Sequence, residues 1–353
     1  MTSPMKKDLP IEQQYVGKNL SCDTCGTVLD ISSFKPLEHI FCPNCKTETV
    51  IPAKLGIYQL NTFLGEGAMG RVYLAKDPSL DRNVAIKILR EDLNATPKMW
   101  MMLEEEAKAA ARIHHNNVIH IYTMGKVLGR PYIVMELATE ASLEDYMREH
   151  SVSESTAITL AIDVLRGLEA AAEHQLMHGD VKPANILVGQ PGYTKIADFG
   201  LARFMREGQP VEKWGTPYYI APEKSQQIME DHRSDLYSLG ATLFHAVAGR
   251  APFEGETGEE VIQKSLEEEH PVLKDLVPDI SEAFSGCIST LMARDINDRF
   301  DTIEQALSCF IALRDGTFDP EVLERPDRQD SGVFTRLRKK MSDLLRDESQ
   351  AGP

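Results

Sequence analysis

His178-Gly179-Asp180-Val181-Lys182-Pro183-Ala184-Asn185 is the stretch whose reading decides this chain, and Asp198-Phe199-Gly200 follows it closely. A carboxylate that can accept a hydroxyl proton, a lysine beside it, and an Asn and an Asp able to hold a divalent cation are the parts that in-line phosphoryl transfer requires. Gly179 and Pro183 place the segment on a loop rather than inside a helix. Alone, such residues can share a surface turn by chance. Further motifs in a fixed order remove that reading.

Upstream lies Gly65-Glu66-Gly67-Ala68-Met69-Gly70, followed by Arg71-Val72-Tyr73-Leu74-Ala75 with the two-residue period of a strand. The glycines therefore sit in a hairpin, where backbone amides can approach phosphates, rather than before a helix as in dinucleotide-binding folds. Val84-Ala85-Ile86-Lys87-Ile88-Leu89 is an apolar run with one lysine, which calls for an anionic partner. Pro97 opens a helix carrying Glu104-Glu105-Glu106, whose register leaves that partner ambiguous. Tyr132 to Ala138 is strand-like, Ser142 can cap the next helix, and Ser151 with Glu154 has the spacing of a capping box for a long apolar helix. Ala221-Pro222-Glu223 comes after the loop, and Asp235 opens another apolar helix.

This ordered set resembles the protein kinase superfamily, specifically the bacterial eukaryotic-like serine/threonine kinases, over residues 57–312. The resemblance implies an α+β fold of two lobes, a small β-rich N-lobe and a large helical C-lobe. It implies transfer of the γ-phosphoryl group of ATP to Ser/Thr hydroxyls of proteins, in the manner of a non-specific serine/threonine kinase using Mg²⁺ or Mn²⁺. By the same resemblance Asp180 is the base, Lys182 stabilises the transferring group, and Asn185 and Asp198 hold Mg²⁺. Lys87, paired with Glu106, grips the α- and β-phosphates. Gly65, Gly67, Gly70, Val72, Ala85, Glu136, Ala138 and Leu187 line the nucleotide, with Met135 as gatekeeper. Asp235 bonds the catalytic-loop backbone, and Glu223 pairs with a buried Arg299. Lys182 and Gly215-Thr216 are similar to the Ser/Thr branch. Gly179 departs from the Arg that most regulated kinases carry there, and residues 201–215 contain no Ser, Thr or Tyr, so control independent of loop phosphorylation is expected. A nucleotide-binding pseudokinase scaffold is the alternative, but Lys87, Asp180 and Asp198 are all present.

The ends carry other signals. Cys22-x-x-Cys25 and Cys42-x-x-Cys45 have the spacing of one four-cysteine Zn²⁺ site, and Val28, Leu29, Ile31, Phe34 and Ile40 offer it a little apolar cover. Residues 21–50 thus resemble a zinc ribbon, a unit too small to fold without the metal. Residues 1–20 read as a tail, 46–57 as a connector because of Pro52 and Gly56, and 313–330 as a linker. Residues 331–353 place Phe334, Leu337, Met341, Leu344 and Leu345 at the spacing of an amphipathic helix. The ribbon or this helix is expected to make a regulatory protein contact. The net charge of −16, concentrated between the two ends, argues against nucleic-acid binding. There is no signal peptide and no apolar run of membrane-spanning length, so a cytoplasmic protein is expected. In such a compartment Cys287 and Cys309, in apolar helical stretches, are core residues rather than a disulfide.

Overall fold

The computed structural model describes residues 19–22, 24–35, 37–67, 70–89, 97–127, 130–138, 140–189, 193–199, 217–226 and 230–323. Residues 201–216, which carry the loop-phosphorylation expectation, and the amphipathic stretch 331–353 lie outside them. The chain divides into two units, Met1–Ala111 with His120–Ala138, and Arg112–Ile119 with Thr139–Pro353.

The first unit begins with two short hairpins, β1 (Asn19–Ser21) with β2 (Val28–Asp30) and β3 (His39–Phe41) with β4 (Glu48–Val50). Next come β5 (Ala53–Leu55), β6 (Tyr58–Gly67), β7 (Gly70–Asp77) and β8 (Arg82–Leu89). Helix α1 (Pro97–Ala110), β9 (Ile121–Val127) and β10 (Arg130–Met135) complete it. The sheet is antiparallel throughout, in the order β5-β6-β7-β8-β10-β9. Its strands meet along a core of Leu60, Tyr73, Ala75, Val84, Ile86 and Val134.

The connector expected at 46–57 is ordered differently. Ala53 and Leu55 alternate with Lys54, both fully buried, so β5 adds an edge strand to the sheet, and Gly56 makes the turn into β6. Adjacent residues are divided between two cores. Val50 packs with the sheet residues and Ile51 with Cys22, Leu29, Ile31 and Cys42. Since successive side chains of an extended chain point to opposite sides, one dipeptide joins the ribbon to the sheet. His39 tightens the joint, its Nδ1 2.8 Å from Glu48 Oε1 and its ring edge-on to Phe63 at 4.9 Å. Val28, expected as cover, is 64% exposed because it alternates with the buried Leu29.

The second unit contains β11 (Ala141–Ser142), α2 (Leu143–Glu149), α3 (Glu154–Glu173), β12 (Ile186–Val188) and β13 (Thr194–Ile196). The helices α4 (Pro222–Ser225), α5 (His232–Ala248), α6 (Gly258–Glu267), α7 (Leu273–Leu276), α8 (Glu282–Leu291) and α9 (Ile303–Asp315) follow. Long α3 packs on α5, α9 and β13, and Ala157, Ala161, Val164 and Leu165 are fully buried along it. Truncating Leu165 to Ala there costs about 2–5 kcal/mol. Ser142 caps α2 as its sequence position predicts, accepting the Asp145 amide.

The capping box at the start of α3 is a correction. Ser153, not Ser151, accepts the Thr156 amide, and Glu154 turns to Ser281, accepting its amide at 2.7 Å and its hydroxyl at 2.6 Å. A distant polar partner outcompetes the local one, and Glu154 ties the start of α3 to the N-cap of α8. Cys287 and Cys309 are buried on α8 and α9, with sulfurs 2.9 Å apart. Among the described residues no helix is long and apolar enough to cross a membrane.

Candidate active site

The loop after α3 holds the candidate catalytic residues. Asp235, 2% exposed in the first turn of α5, accepts the amides of His178 and Gly179, each at 2.8 Å. The carboxylate therefore clamps two successive backbone N–H groups, the structural task expected of it. His178 is fully buried between two backbone partners whose roles are unambiguous. Its Nδ1 accepts the Asp180 amide at 3.1 Å and its Nε2 donates to the Ala197 carbonyl at 2.8 Å. An amide can only donate and a carbonyl only accept, so the ring is the neutral Nε2–H tautomer. Burial pushes its pKa below the ordinary histidine value, in the same direction. The ring also stands edge-on to Phe199 at 4.6 Å, so one side chain links the loop to the backbone and ring that flank Asp198.

Asp180, Lys182 and Asn185 are brought together. The Asp180 Oδ2 lies 2.7 Å from Lys182 Nζ and 3.0 Å from Asn185 Nδ2. Asn185 Nδ2 also donates to the Asp180 carbonyl at 2.8 Å. Both bonds use the amide nitrogen, so among the described residues the amide oxygen is the side of Asn185 that could hold a cation. The Ala197 amide donates to the Asn185 carbonyl at 2.9 Å, which sets the residue before Asp198 against the loop. Asp198 itself has φ +66, a left-handed conformation that costs a non-glycine residue on the order of 1 kcal/mol and is held by its surroundings. A carboxylate and an amide oxygen form an all-oxygen donor set, which fits Mg²⁺. Leu187 follows on β12, opposite Lys195 of β13.

Around this loop the second unit is braced. Glu223 and Arg299, 6% and 0% exposed, form a two-pronged ion pair at 2.7 Å for each prong. Ser234 Oγ donates to the same carboxylate at 2.6 Å, and the guanidinium lies over Tyr237 at 4.9 Å. Burial raises the Glu223 carboxyl, but the Arg299 contacts outweigh it and hold it below the usual range.

In the first unit, the candidate nucleotide residues occupy neighbouring rungs of one sheet. Gly65 pairs with Val72, Gly67 with Gly70, Val72 with Lys87, and Ala85 with Met135. Gly70 is required there. A Cβ at this position would collide with the Ile88 carbonyl, and its φ is +151. Lys87 is 4% exposed. The ambiguity on α1 narrows, since Glu104 pairs with Lys108 at 2.7 Å and Glu105 is exposed, whereas one carboxylate oxygen of Glu106 is fully buried on the face of Leu103, Ala107 and Ala110. Beyond the strand ending at Met135, the Glu136 amide donates to the His120 carbonyl at 2.8 Å, and Ala138 is half-buried.

The four N-terminal cysteines converge. Their sulfurs all lie within 4.8 Å of one another, with Cys22–Cys45 at 3.5 Å and Cys25–Cys42 at 3.7 Å. Tetrahedral zinc with Zn–S bonds of about 2.3 Å needs sulfurs about 3.8 Å apart, so the cluster fits the metal. The two halves repeat one turn. Cys22 N–H donates to the Thr27 carbonyl and Gly26 N–H to the Cys22 carbonyl, while Cys42 and Lys46 do the same with Thr47 and Cys42. The Thr27 hydroxyl, with its amide, pulls the Cys25 thiol down to about 6, and Thr47 lowers Cys45 in the same way. Thiolates are the ligand form of cysteine. Sequence reasoning passed over these threonines, although each lies two residues past the second cysteine of its pair, a repeat visible in the chain. It also gave His178 no role and passed over Lys224, for which the sequence carries no signal.

Residues 58–309 match the protein kinase domain. The serine/threonine-protein kinase PrkC of Bacillus subtilis is 32% identical over 253 residues, 70% of this chain and 39% of that protein. PknB of Mycolicibacterium smegmatis is 30% identical over 283 residues, 77% of this chain and 45% of that protein. The chain thus spans less than half the length of the curated relatives it matches. The crystal structure of the PknI kinase domain of Mycobacterium tuberculosis superposes with a TM-score of 0.62 at 25% identity, covering 74% of this chain and 96% of that one. With a β-rich lobe and a helical lobe, the motifs in order, and a domain match over more than two thirds of its length, the chain belongs to the protein kinase family.

Proposed function

We propose that this chain transfers the γ-phosphoryl group of ATP to serine and threonine hydroxyls of proteins. The observation that carries the reading is the division of labour on Asp180. Lys182 and Asn185 both engage Oδ2, and among the described residues Oδ1 is left to accept the proton of an incoming hydroxyl. A base presented by one fixed oxygen gives the attacking hydroxyl a direction, and positioning with charge neutralisation is most of what this reaction needs from a protein.

In this reading Lys182 sits beside the base to balance charge on the transferring group. Asn185 and Asp198 would hold Mg²⁺ or Mn²⁺, which when bound neutralises the phosphate oxygens. Lys87, with Glu106 as its carboxylate, grips the α- and β-phosphates. Gly65, Gly67 and Gly70 are assigned to the same phosphates, and Val72, Ala85, Glu136, Ala138 and Leu187 to adenine. Cys22, Cys25, Cys42 and Cys45 hold one structural Zn²⁺, and the ribbon they close is the surface for a regulatory protein, its exposed Val28 and Phe41 offering the apolar contact. No observation favours a pseudokinase scaffold.

Incubation of the full chain with γ-labelled ATP, Mg²⁺ or Mn²⁺ and a generic basic protein tests the reading. Label should appear on Ser and Thr of the substrate or the chain itself, and should be lost in Asp198→Asn and Asp180→Asn. A well-folded wild type that labels nothing with either metal would overturn it.

A further inference from the structure

Lys224 stands next to Glu223 on α4, and its side chain is 1% exposed. Taking an ammonium group out of water costs several kcal/mol unless charges and hydrogen bonds compensate, so a buried lysine asks for a reason. Its nitrogen lies 3.2 Å from the Gly179 carbonyl oxygen, 3.7 Å from Glu230 Oε2 and 3.9 Å from Asp235 Oδ1. The carbonyl is within hydrogen-bond reach, whereas the two carboxylates stand at ion-pair distance. Balancing those two charges explains the burial of a cation but not its aim at the peptide oxygen.

That peptide is the one that leads into Asp180. Gly179 has φ +78, a turn that needs no Cβ, and it brings no side chain to steady itself. Steadying comes from its neighbours. Its amide is held by Asp235 at 2.8 Å, and the next amide, that of Asp180, by His178 Nδ1 at 3.1 Å. Lys224 holds the opposite edge of that same peptide plane. The lysine works from a fixed base, because the adjacent Glu223 is locked to Arg299.

Resting on the reading of Asp180 as the base, we propose that Lys224 is a positioning residue of this kinase: its ammonium group pins the Gly179–Asp180 peptide and so aims the Asp180 carboxylate. Positioning should be felt in kcat, because the nucleotide contacts are made by other residues, whereas mere loss of charge balance should lower stability without singling out the chemical step.

The test compares wild type, Lys224→Met and Lys224→Gln as full chains. Phosphoryl transfer from labelled ATP, KM for ATP, binding of a fluorescent ADP analogue and melting temperature are measured for each. Lys224→Met should lose about 10–100-fold in kcat with KM for ATP and nucleotide affinity within about threefold of wild type. Lys224→Gln, neutral and one bond shorter, keeps a donor and should lose about 3–10-fold, again in kcat alone. Should the Met variant fail to fold, the Gln variant decides. Wild-type kcat in the Gln variant overturns the proposal, as does a loss shared equally by kcat, nucleotide affinity and melting temperature. Wild-type protein that transfers no label sinks the kinase reading and this inference with it, whereas an active wild type silenced by Asp198→Asn keeps the reading whatever Lys224 does.

Discussion

The cysteine cluster and the catalytic loop are both short turns that present polar atoms to a ligand, yet they are held in opposite ways. In the cluster, each knuckle closes through bonds between residues four or five apart, and the two knuckles repeat each other. The loop also has short-range bonds, but those that anchor it to the rest of its unit come from far along the chain. Asp235 lies 57 residues from His178, Ala197 lies 19 from it, and Lys224 lies 45 from Gly179. A locally closed turn needs only its ligand to finish it. A remotely closed turn exists only when the whole helical unit has folded, because the loop-closure entropy of those contacts has been met elsewhere.

The largest expected effect tests the local half. Chelating zinc, or Cys22→Ser, removes stabilisation on the order of 10 kcal/mol from a segment with almost no core of its own. Metal analysis should fall from about one zinc per chain to near zero, on the single-site stoichiometry of a four-cysteine centre. Hydrogen exchange should show the ribbon and β5 losing protection while residues 178–185 keep theirs. Loss of protection in the catalytic loop as well would break the comparison.

Next comes the brace of the second unit. Glu223→Ala removes the carboxylate that both prongs of buried Arg299 reach and should destabilise by about 3–5 kcal/mol in urea titration. The ribbon's zinc content should be unchanged. Asp235→Ala orphans the amides of buried His178 and half-buried Gly179, at about 1–3 kcal/mol each, and should abolish transfer even at temperatures where the variant is folded. A folded Asp235→Ala protein with wild-type kcat would show that the loop is locally stable after all.

Smaller still is the helix cap. Ser153→Ala should cost about 1 kcal/mol, as expected for an N-cap, and Ser151→Ala close to nothing. The reverse order would restore the capping box that the sequence pattern favours. The smallest effect is in pH. Burial holds His178, His245 and His270 below the ordinary histidine value. Such groups bind fewer protons folded than unfolded, so stability should rise with pH from their depressed values to about 6.5 and level off above it. Denaturant melts between pH 5 and 8 check this, and a profile flat below 6.5 would count against three neutral imidazoles.

What could be read from the chain follows the same division. The cysteine spacing, the alternation at Arg71 to Ala75 and the apolar run around Lys87 each carry their meaning within a few residues, so the ribbon, the glycine hairpin and the buried lysine strand were legible. The Ser151–Glu154 spacing does not become a capping box, because Glu154 has a better partner 127 residues away in Ser281. Within 46–57 Pro52 and Gly56 announce turns, while only the neighbouring β6 could recruit Ala53 to Leu55 into a sheet. Glu106 could not be separated from Glu104 and Glu105 by residue type, and the packing of α1 narrows the choice by burying a Glu106 oxygen.

The sequence by itself determined which chemical groups this protein owns and their order, since metal-ligand spacing, strand period and motif succession are local properties of a chain. Only the tertiary structure decided which oxygen of Asp180 Lys182 and Asn185 engage, which tautomer His178 adopts, and that Lys224 reaches Gly179. Each of those depends on a partner supplied by a remote segment, and a side chain's type does not say which backbone group it will meet.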